Sequence, residues 1–479
     1  MKTVLWWIRR DLRLSDNEAL SNAVQRAESV LPIFILDPKL IGSRYVGEKR
    51  LGFLYAGLQQ LNTDLQDSGS RLIIRKGDPV DVFEEIYSRI KFDAIFAESD
   101  FSPYAQGRDS KIHDRFPIEF FGGPTFRHPL AVRKKDGEPY TVYTPYHRTW
   151  KALPLPSDDE LFSKPHRIRT IEDLESLPLP SNPASVNQSS FQPGESEAQR
   201  RLRAFVKGDS ALIYKYESQR DRMDLNGTSH LSPYLRFGML SAKQALVAAS
   251  TAISRTKKEK ERQSASTWLN EIIWREFYQM ILFNFPEVRK ISFRENLRDI
   301  QWENHPNEFH AWCNGETGYP IVDAAMRQMS KTGWMHNRAR MIVASFLVKD
   351  LLIDWRWGEK WFMQNLIDGD PAANNGGWQW SAGTGTDAAP YFRIFNPILQ
   401  GQKFDPLGDY VKQWVPELSS VPNKFVHKPW KMPLELQKSS GVVIGKDYPA
   451  PIIDHKFARE RTLERYRSAK EKMQKEKDS

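Results

Sequence analysis

The apolar pattern of this chain changes period once, and that change limits what it can fold into. The opening stretch alternates short apolar runs (TVLWWI, LPIFILD, RLIIRKGD and DAIFAES) with segments whose apolar residues recur at helical spacing (DNEALSNAVQRAES, KRLGFLYAGLQQLNTDLQDSG and PVDVFEEIYSRIK). Strand and helix in alternation predict a parallel, Rossmann-like sheet covered on both faces, an α/β domain over residues 1–130. From Ser196 onward the period is helical: ESEAQRRLRAFV, SAKQALVAASTAI, SASTWLNEIIWREFYQMILFN, YPIVDAAMRQMSKTG and MHNRARMIVASFLVKDLLIDW follow one another with almost no strand signal. A nearly all-α domain is expected over residues 196–479, its charged tail a fraying helix. Between them, LPLPSDDELFSKP and SLPLPSNPASVNQSSFQPGES have the composition of an extended surface connection, so residues 131–195 are read as a long interdomain linker.

A chain of 479 residues has ample length for two such cores. Its net charge of +9 points to a polyanion partner, most often nucleic acid, the alternative being a slightly basic enzyme. The single cysteine, Cys313, cannot close an internal disulfide. The ten histidines show no metal-binding spacing, so no metal is expected. Apolar runs are too short for a signal peptide or a membrane span, and a soluble cytoplasmic monomer is expected. The first strand runs into Arg9, Arg10, Asp11 and Arg13, at the end where parallel sheets bind ligands, but no GxGxxG follows it.

Four stretches carry chemistry. In TSHLSPYLRFG, Ser232 suits an N-cap and Pro233 the first helical position, and a helix start rich in hydroxyls can seat phosphate; an ordinary capped helix is the alternative. In NEIIWREFY, Glu271 and Trp274 share a helix face, and in WMHNRARM so do Asn337 and Met341, with Arg340 beside them. Together these could line a pocket for a flat, polar-edged ring such as a base; core meeting solvent is the alternative. In DGDPAANNGGWQW, Asp370 before Pro371 predicts an N-cap, and Gly376-Gly377 predicts an early stop, leaving Asn374 on a short helix. Ten of the fifteen tryptophans lie between Trp268 and Trp380. Core packing usually spreads indoles out, so such crowding suggests base stacking or electron passage.

TGYPIVDAAMRQMSKTGWMHNRARM and DGDPAANNGGWQWSAGTGTDAAPYFRIFNP closely resemble the photolyase/cryptochrome flavoproteins, best the class I cyclobutane pyrimidine dimer DNA photolyases, and the resemblance spans nearly the whole chain. It implies an antenna-chromophore domain, a linker and a helical domain binding U-shaped, reduced FAD. By that resemblance Tyr216, Arg220, Thr228, Ser229, Leu231, Ser232, Trp268, Arg275 and Asp370 contact FAD, Asn374 faces flavin N5, and Asp368 with Arg340 forms the ion pair beside the ring. Glu271, Trp274, Asn337, Met341 and Trp380 match the pocket for a flipped-out thymine dimer in ultraviolet-damaged DNA, and Arg338 a DNA-backbone contact. Trp378, Trp355 and Trp302 match the chain that reduces the flavin under light. The implied reaction is light-driven electron transfer from reduced FAD to the dimer, ring opening and return of the electron.

Competing members of the family are a cryptochrome photoreceptor and a (6-4) photolyase. Asn374, Asn337, Met341, Trp380 and a short tail all favour the cyclobutane enzyme by resemblance. A light-independent single-strand-binding protein would explain the indoles and the charge but not the phosphate seat. In ESDFSPYAQGRD, Asp100 aligns with an antenna contact, which favours 8-hydroxy-5-deazaflavin or flavin over methenyltetrahydrofolate. Ser102 stands where deazaflavin-binding members often have Glu, and a vacant antenna pocket is also open.

Overall fold

A computed structural model describes residues 1–170, 174–181 and 191–478, so part of the expected linker lies outside the described residues. The chain forms two compact units. The first comprises Met1–Glu217, Thr228–Pro286 and Ile367–Ala372; the second comprises Ser218–Gly227, Glu287–Leu366 and Ala373–Ser479.

The first unit is built on a parallel sheet of β1 (Thr3–Ile8), β2 (Ser29–Leu36), β3 (Ile73–Lys76), β4 (Ala94–Glu98) and β5 (Ile118–Phe121), in the order β3-β2-β1-β4-β5. The four expected strands are present. β5, not read from sequence, is an edge strand of only four residues, Ile118 buried and Phe120 exposed. β1 pairs on both sides, Leu5 lying opposite Leu31 and Ile95, and all six of its residues are buried. This is why TVLWWI is apolar without alternation. The helices Glu18–Arg26, Glu48–Gln66 and Pro79–Arg89 fall where the spacing put them.

The stretch expected as linker holds a helix, Tyr143–Lys151, packed on the long helix Glu259–Asn284. Trp150 Nε1 donates to Glu276 Oε2 at 2.6 Å, and the Phe126 amide donates to Glu276 Oε1 at 2.6 Å. Burial raises the Glu276 carboxyl, although these bonds oppose the shift. Gly238 closes the short helix Ser232–Phe237 at φ 63°. A Cβ there would lie 1.8 Å from the Arg10 carbonyl oxygen, so only glycine lets this helix end meet the end of β1.

The second unit is helical around Trp312, Trp355, Trp378, Leu347, Tyr410 and Tyr448, all buried. MHNRARMIVASFLVKDLLIDW is not one helix: Asn337–Ser345 passes into a π-helical turn, Phe346–Asp350, and Leu352 takes a left-handed φ of 52°. Trp355 therefore opens a new helix, Trp355–Asn365, capped by Asp354, whose carboxylate accepts from the Arg356 amide at 2.9 Å.

The helix after Asp370 is longer than expected. It does not stop at Gly376-Gly377 but runs Pro371–Ala382. Each glycine costs about 1 kcal/mol of helix propensity. Tertiary anchors outweigh that: Asn375 Nδ2 and Gln379 Nε2 both donate to the Val288 carbonyl, at 3.0 and 2.8 Å. The helix ends where Gly383 turns left-handed (φ 79°), and the Ala382 carbonyl accepts from Lys349 Nζ at 3.0 Å and Tyr466 Oη at 2.7 Å.

Candidate active site

In the first unit, Thr228–Ser232 precedes the helix Ser232–Phe237 through His230, a non-glycine residue at φ 52°. The cap falls one residue earlier than expected: Leu231 holds the N-cap place and Ser232 is the first helical residue. Pro233 fits either of the first two helical positions, whose N–H groups have no intrahelical partner. Thr228 Oγ1 is buried and, among the described residues, has no hydrogen-bond partner. Leaving such a hydroxyl unsatisfied costs roughly 1–3 kcal/mol. An oxygen-rich anion would remove that cost, so the segment fits a phosphate group.

Tyr216 and Trp268 are both buried, with Phe205 between them, its ring centroid 6.0 Å from Tyr216 and 5.1 Å from Trp268. Glu271 and Trp274, half-buried, share a face of the helix Glu259–Asn284. Trp274 stacks on Tyr143 with centroids 3.5 Å apart and planes 8° from parallel. Arg275 donates to the carbonyls of Leu235, at 3.1 Å, and Pro124, and burial lowers its pKa.

The segment Ile367–Ala372 lies among arginines of the same unit. Asp370 Oδ2 accepts from Arg10 Nη2 at 2.7 Å, and Oδ1 accepts from Gln279 Nε2 and the Ala372 amide, both at 3.0 Å. The last bond is the expected cap. The Gly369 carbonyl accepts from Arg50 Nη1 at 3.0 Å and Arg236 Nε at 2.8 Å. Asp368 and Asp370 are each 7% exposed. Arg10 also meets Asp100 at 3.5 Å. Burial pushes the Asp100 carboxyl up, but Arg10, Arg9 and Arg108 together bring it down to about 2. Arg9, Arg10, Glu98, Ser99, Asp100 and Pro124 line a cleft of about 180 Å³ at the strand ends. Much of that space is open to solvent, and the cleft has no enclosed room even for a water molecule.

In the second unit, Asn374, Trp378 and Trp380 ride on the helix Pro371–Ala382. Asn374 Nδ2 donates to the Glu359 carbonyl at 2.9 Å. Trp378 is 2% exposed and edge-on to Phe362, at 4.9 Å, and to Trp312, at 6.0 Å. A Cβ on Gly358 would lie 2.1 Å from Trp378 Cη2, so glycine there makes room for the indole. Trp380, two residues on, is only half-buried. Trp355 is buried and Trp302 half-buried, the latter edge-on to Tyr466 at 6.2 Å. Among the described residues none of the three indoles Trp378, Trp355 and Trp302 packs ring to ring on another. The Trp302 loop is nevertheless tied to the start of the Trp355 helix: the Asp354 amide donates to Asn304 Oδ1 at 2.8 Å and the Glu303 amide to the Leu352 carbonyl at 2.9 Å.

Asn337 and Met341 share a face, with Asn337 Nδ2 3.9 Å from Met341 Sδ. Arg338 is paired with Asp221, Nη2 to Oδ1 at 2.8 Å, and lies over the Phe404 ring. Arg340 Nε donates to the Met335 carbonyl at 2.9 Å, and Arg220 is half-buried. Tyr143, Arg10, Gln279 and Gly358 were not singled out from sequence for these roles. Tyr143 falls in the stretch expected as linker, where no helix was read.

Residues 4–164 match the DNA photolyase family, and residues 268–468 match the FAD binding domain of DNA photolyase. The chain belongs to the DNA photolyase family. It is 39% identical to a deoxyribodipyrimidine photo-lyase of Agrobacterium fabrum, over 98% of both chains. Its fold superposes on a bacterial class III photolyase from Agrobacterium tumefaciens with a TM-score of 0.92 at 38% identity, covering 98% of each chain. An archaeal photolyase from Sulfolobus tokodaii, solved with two FAD molecules, matches with a TM-score of 0.79 at 31% identity, covering 97% of this chain and 100% of that one. No helix among the described residues is long and apolar enough to cross a membrane, and no His, Cys, Asp and Glu cluster among them could hold a metal ion.

Proposed function

We propose that this protein is a light-driven lyase that repairs cyclobutane pyrimidine dimers in ultraviolet-damaged DNA. The observation that carries the reading furthest is the buried Thr228 hydroxyl, which has no hydrogen-bond partner among the described residues, in a segment that by sequence resembles the family's FAD-phosphate seat. Thr228, Ser229, Leu231 and Ser232 would hold the phosphates, with Tyr216, Arg220, Trp268 and Arg275 as further contacts. Asp368, Asp370, Arg340 and Asn374 would surround the isoalloxazine ring. Reduced FAD held there would supply the blue-light-driven one-electron chemistry that opens the cyclobutane ring.

The protein's own residues would position and screen. Trp274 and Trp380 would stack on the flipped pyrimidines, Glu271 and Asn337 would hydrogen-bond their edges, and Met341 would fill the remaining wall. Glu271 would also steady the charge gained by the dimer. Trp378, Trp355 and Trp302 would pass electrons inward, and Trp378 suits this because its dry surroundings favour a hop over side reactions with water. Arg338 would exchange Asp221 for a DNA phosphate, and the +9 charge would draw the duplex. A second chromophore of the flavin or deazaflavin class would have to enter the cleft beside Asp100, and Arg10 would have to turn away to admit it.

The test uses the reduced, FAD-loaded protein with ultraviolet-irradiated oligothymidylate. Thymine absorbance should recover under blue light and stay flat in the dark. No recovery in light, with FAD bound and reduced, would refute the repair reading and favour a signalling photoreceptor or another lesion. Affinity for damaged DNA should fall as salt rises, since phosphate contacts release counterions.

A further inference from the structure

Trp274 does not stand alone on its helix. Tyr143 covers one face of the indole almost in parallel, at a centroid distance of 3.5 Å. Aromatic pairs in proteins ordinarily keep their centroids about 4.5–7 Å apart, so this is full face-to-face overlap. Phe277 meets the same indole edge-on at 5.7 Å, and Tyr278 lies tilted at 5.6 Å.

The stack is held by a matched pair of helix faces. Tyr143 and His147 are four apart on the helix Tyr143–Lys151, and Asn270 and Trp274 are four apart on the helix Glu259–Asn284. Tyr143 Oη donates to the Asn270 carbonyl at 3.0 Å, and His147 Nε2 lies 2.8 Å from Asn270 Oδ1. One turn further along, Tyr146 packs on Phe277 at 5.3 Å, and Trp150 bonds Glu276. Two helices far apart in sequence are thereby registered so that one tyrosine lies flat on one tryptophan.

We infer that Tyr143 is a positioning residue that makes Trp274 a rigid, one-sided stacking platform for the damaged base. This rests on the dimer-binding reading of Trp274. With one face committed to Tyr143, a base can stack only on the other. Fixing a mobile side chain on binding weakens affinity by about two- to tenfold, and Tyr143 removes that cost before DNA arrives.

The experiment compares full-length, FAD-loaded wild type with Tyr143→Phe, Tyr143→Leu and Tyr143→Met. Dissociation constants are measured in the dark for irradiated and unirradiated oligothymidylate of equal length. Tyr143→Phe keeps the flat face and should retain the wild-type preference for irradiated DNA. Tyr143→Leu and Tyr143→Met, confirmed folded by their FAD content, should lose about tenfold of that preference while binding unirradiated DNA as before. Either variant keeping the preference within about twofold would overturn the role of Tyr143 alone. A wild type with no preference would overturn the lesion-binding reading and this inference with it. Methionine fills the tyrosine volume without a flat ring, so a leucine variant that fails to fold leaves the test intact.

Discussion

At the end of β1, Arg9, Arg10 and Arg13 are buried against Asp109, Asp100, Asp370 and Glu98, whereas Trp378 in the second unit is walled by Phe362, Trp312 and the bare Cα of Gly358. The first arrangement holds geometry with charge. Its guanidiniums reach along several directions at once, and Arg10 spans Asp100 and Asp370. The second holds geometry with shape, rings and a glycine closing around the indole. The carboxylates divide less cleanly: arginines pull Asp100 down to about 2, but burial pushes Glu98 up to about 8 in spite of Arg13, as it pushes Asp323, Asp350 and Asp405 of the second unit up to about 6.

The largest effect should come from breaking the charged arrangement. Arg10→Met removes one partner of a buried pair and should cost about 3–5 kcal/mol, read as a lower midpoint in urea unfolding. The double variant with Asp370→Asn should recover part of that loss. An unchanged midpoint in Arg10→Met would show that Gln279 and the Ala372 amide suffice to hold Asp370.

A smaller effect is expected on the aromatic side. Gly358→Ala presses a methyl into the Trp378 ring and should destabilise by about 1–3 kcal/mol, with a shift in Trp fluorescence that marks a displaced indole. Full stability with an unshifted spectrum would mean that the indole has room to spare.

The smallest effect is in pH dependence. Asp405 is fully buried, and its carboxylate accepts from the Tyr410 and Val411 amides at 3.0 Å. Burial still raises it to about 6, so between the unfolded value near 4 and 6 the folded state holds a proton that the unfolded state has lost. The Asp405 contribution should therefore fall as pH rises through that window and level off above it, while Glu98, raised to about 8, extends the decline. Asp405→Asn should flatten the slope, and an unaltered slope would assign it to Asp323 and Asp350. Asp100 behaves in the opposite sense: its contribution is complete above about 4 and is lost only as pH falls toward 2.

Sequence carried the local part of this picture well. TVLWWI announces a strand buried on both faces, ESEAQRRLRAFV matches the helix Glu195–Val206 residue for residue, and Asp-Pro marks the cap at Asp370. It misled where tertiary anchors override propensity: Gly376-Gly377 reads as a stop until Val288 is known to hold Asn375 and Gln379. It was silent where partners lie far apart. Arg10 meets Asp370 across 360 positions, and nothing local to Tyr143 names Trp274. The site residues on single helices, such as Asn337 with Met341, could be paired by periodicity. Those joined by the fold could not.

The most direct test of the division between charge-held and shape-held regions is flavin photoreduction in Trp378→Phe. Phenylalanine keeps most of the packing against Phe362 and Trp312 but is far harder to oxidise than indole. Light should no longer reduce oxidised FAD in this variant, while chemically reduced enzyme should repair irradiated oligothymidylate at close to the wild-type yield. Photoreduction at the wild-type rate would contradict the account, because Trp378 would then be packing and nothing more.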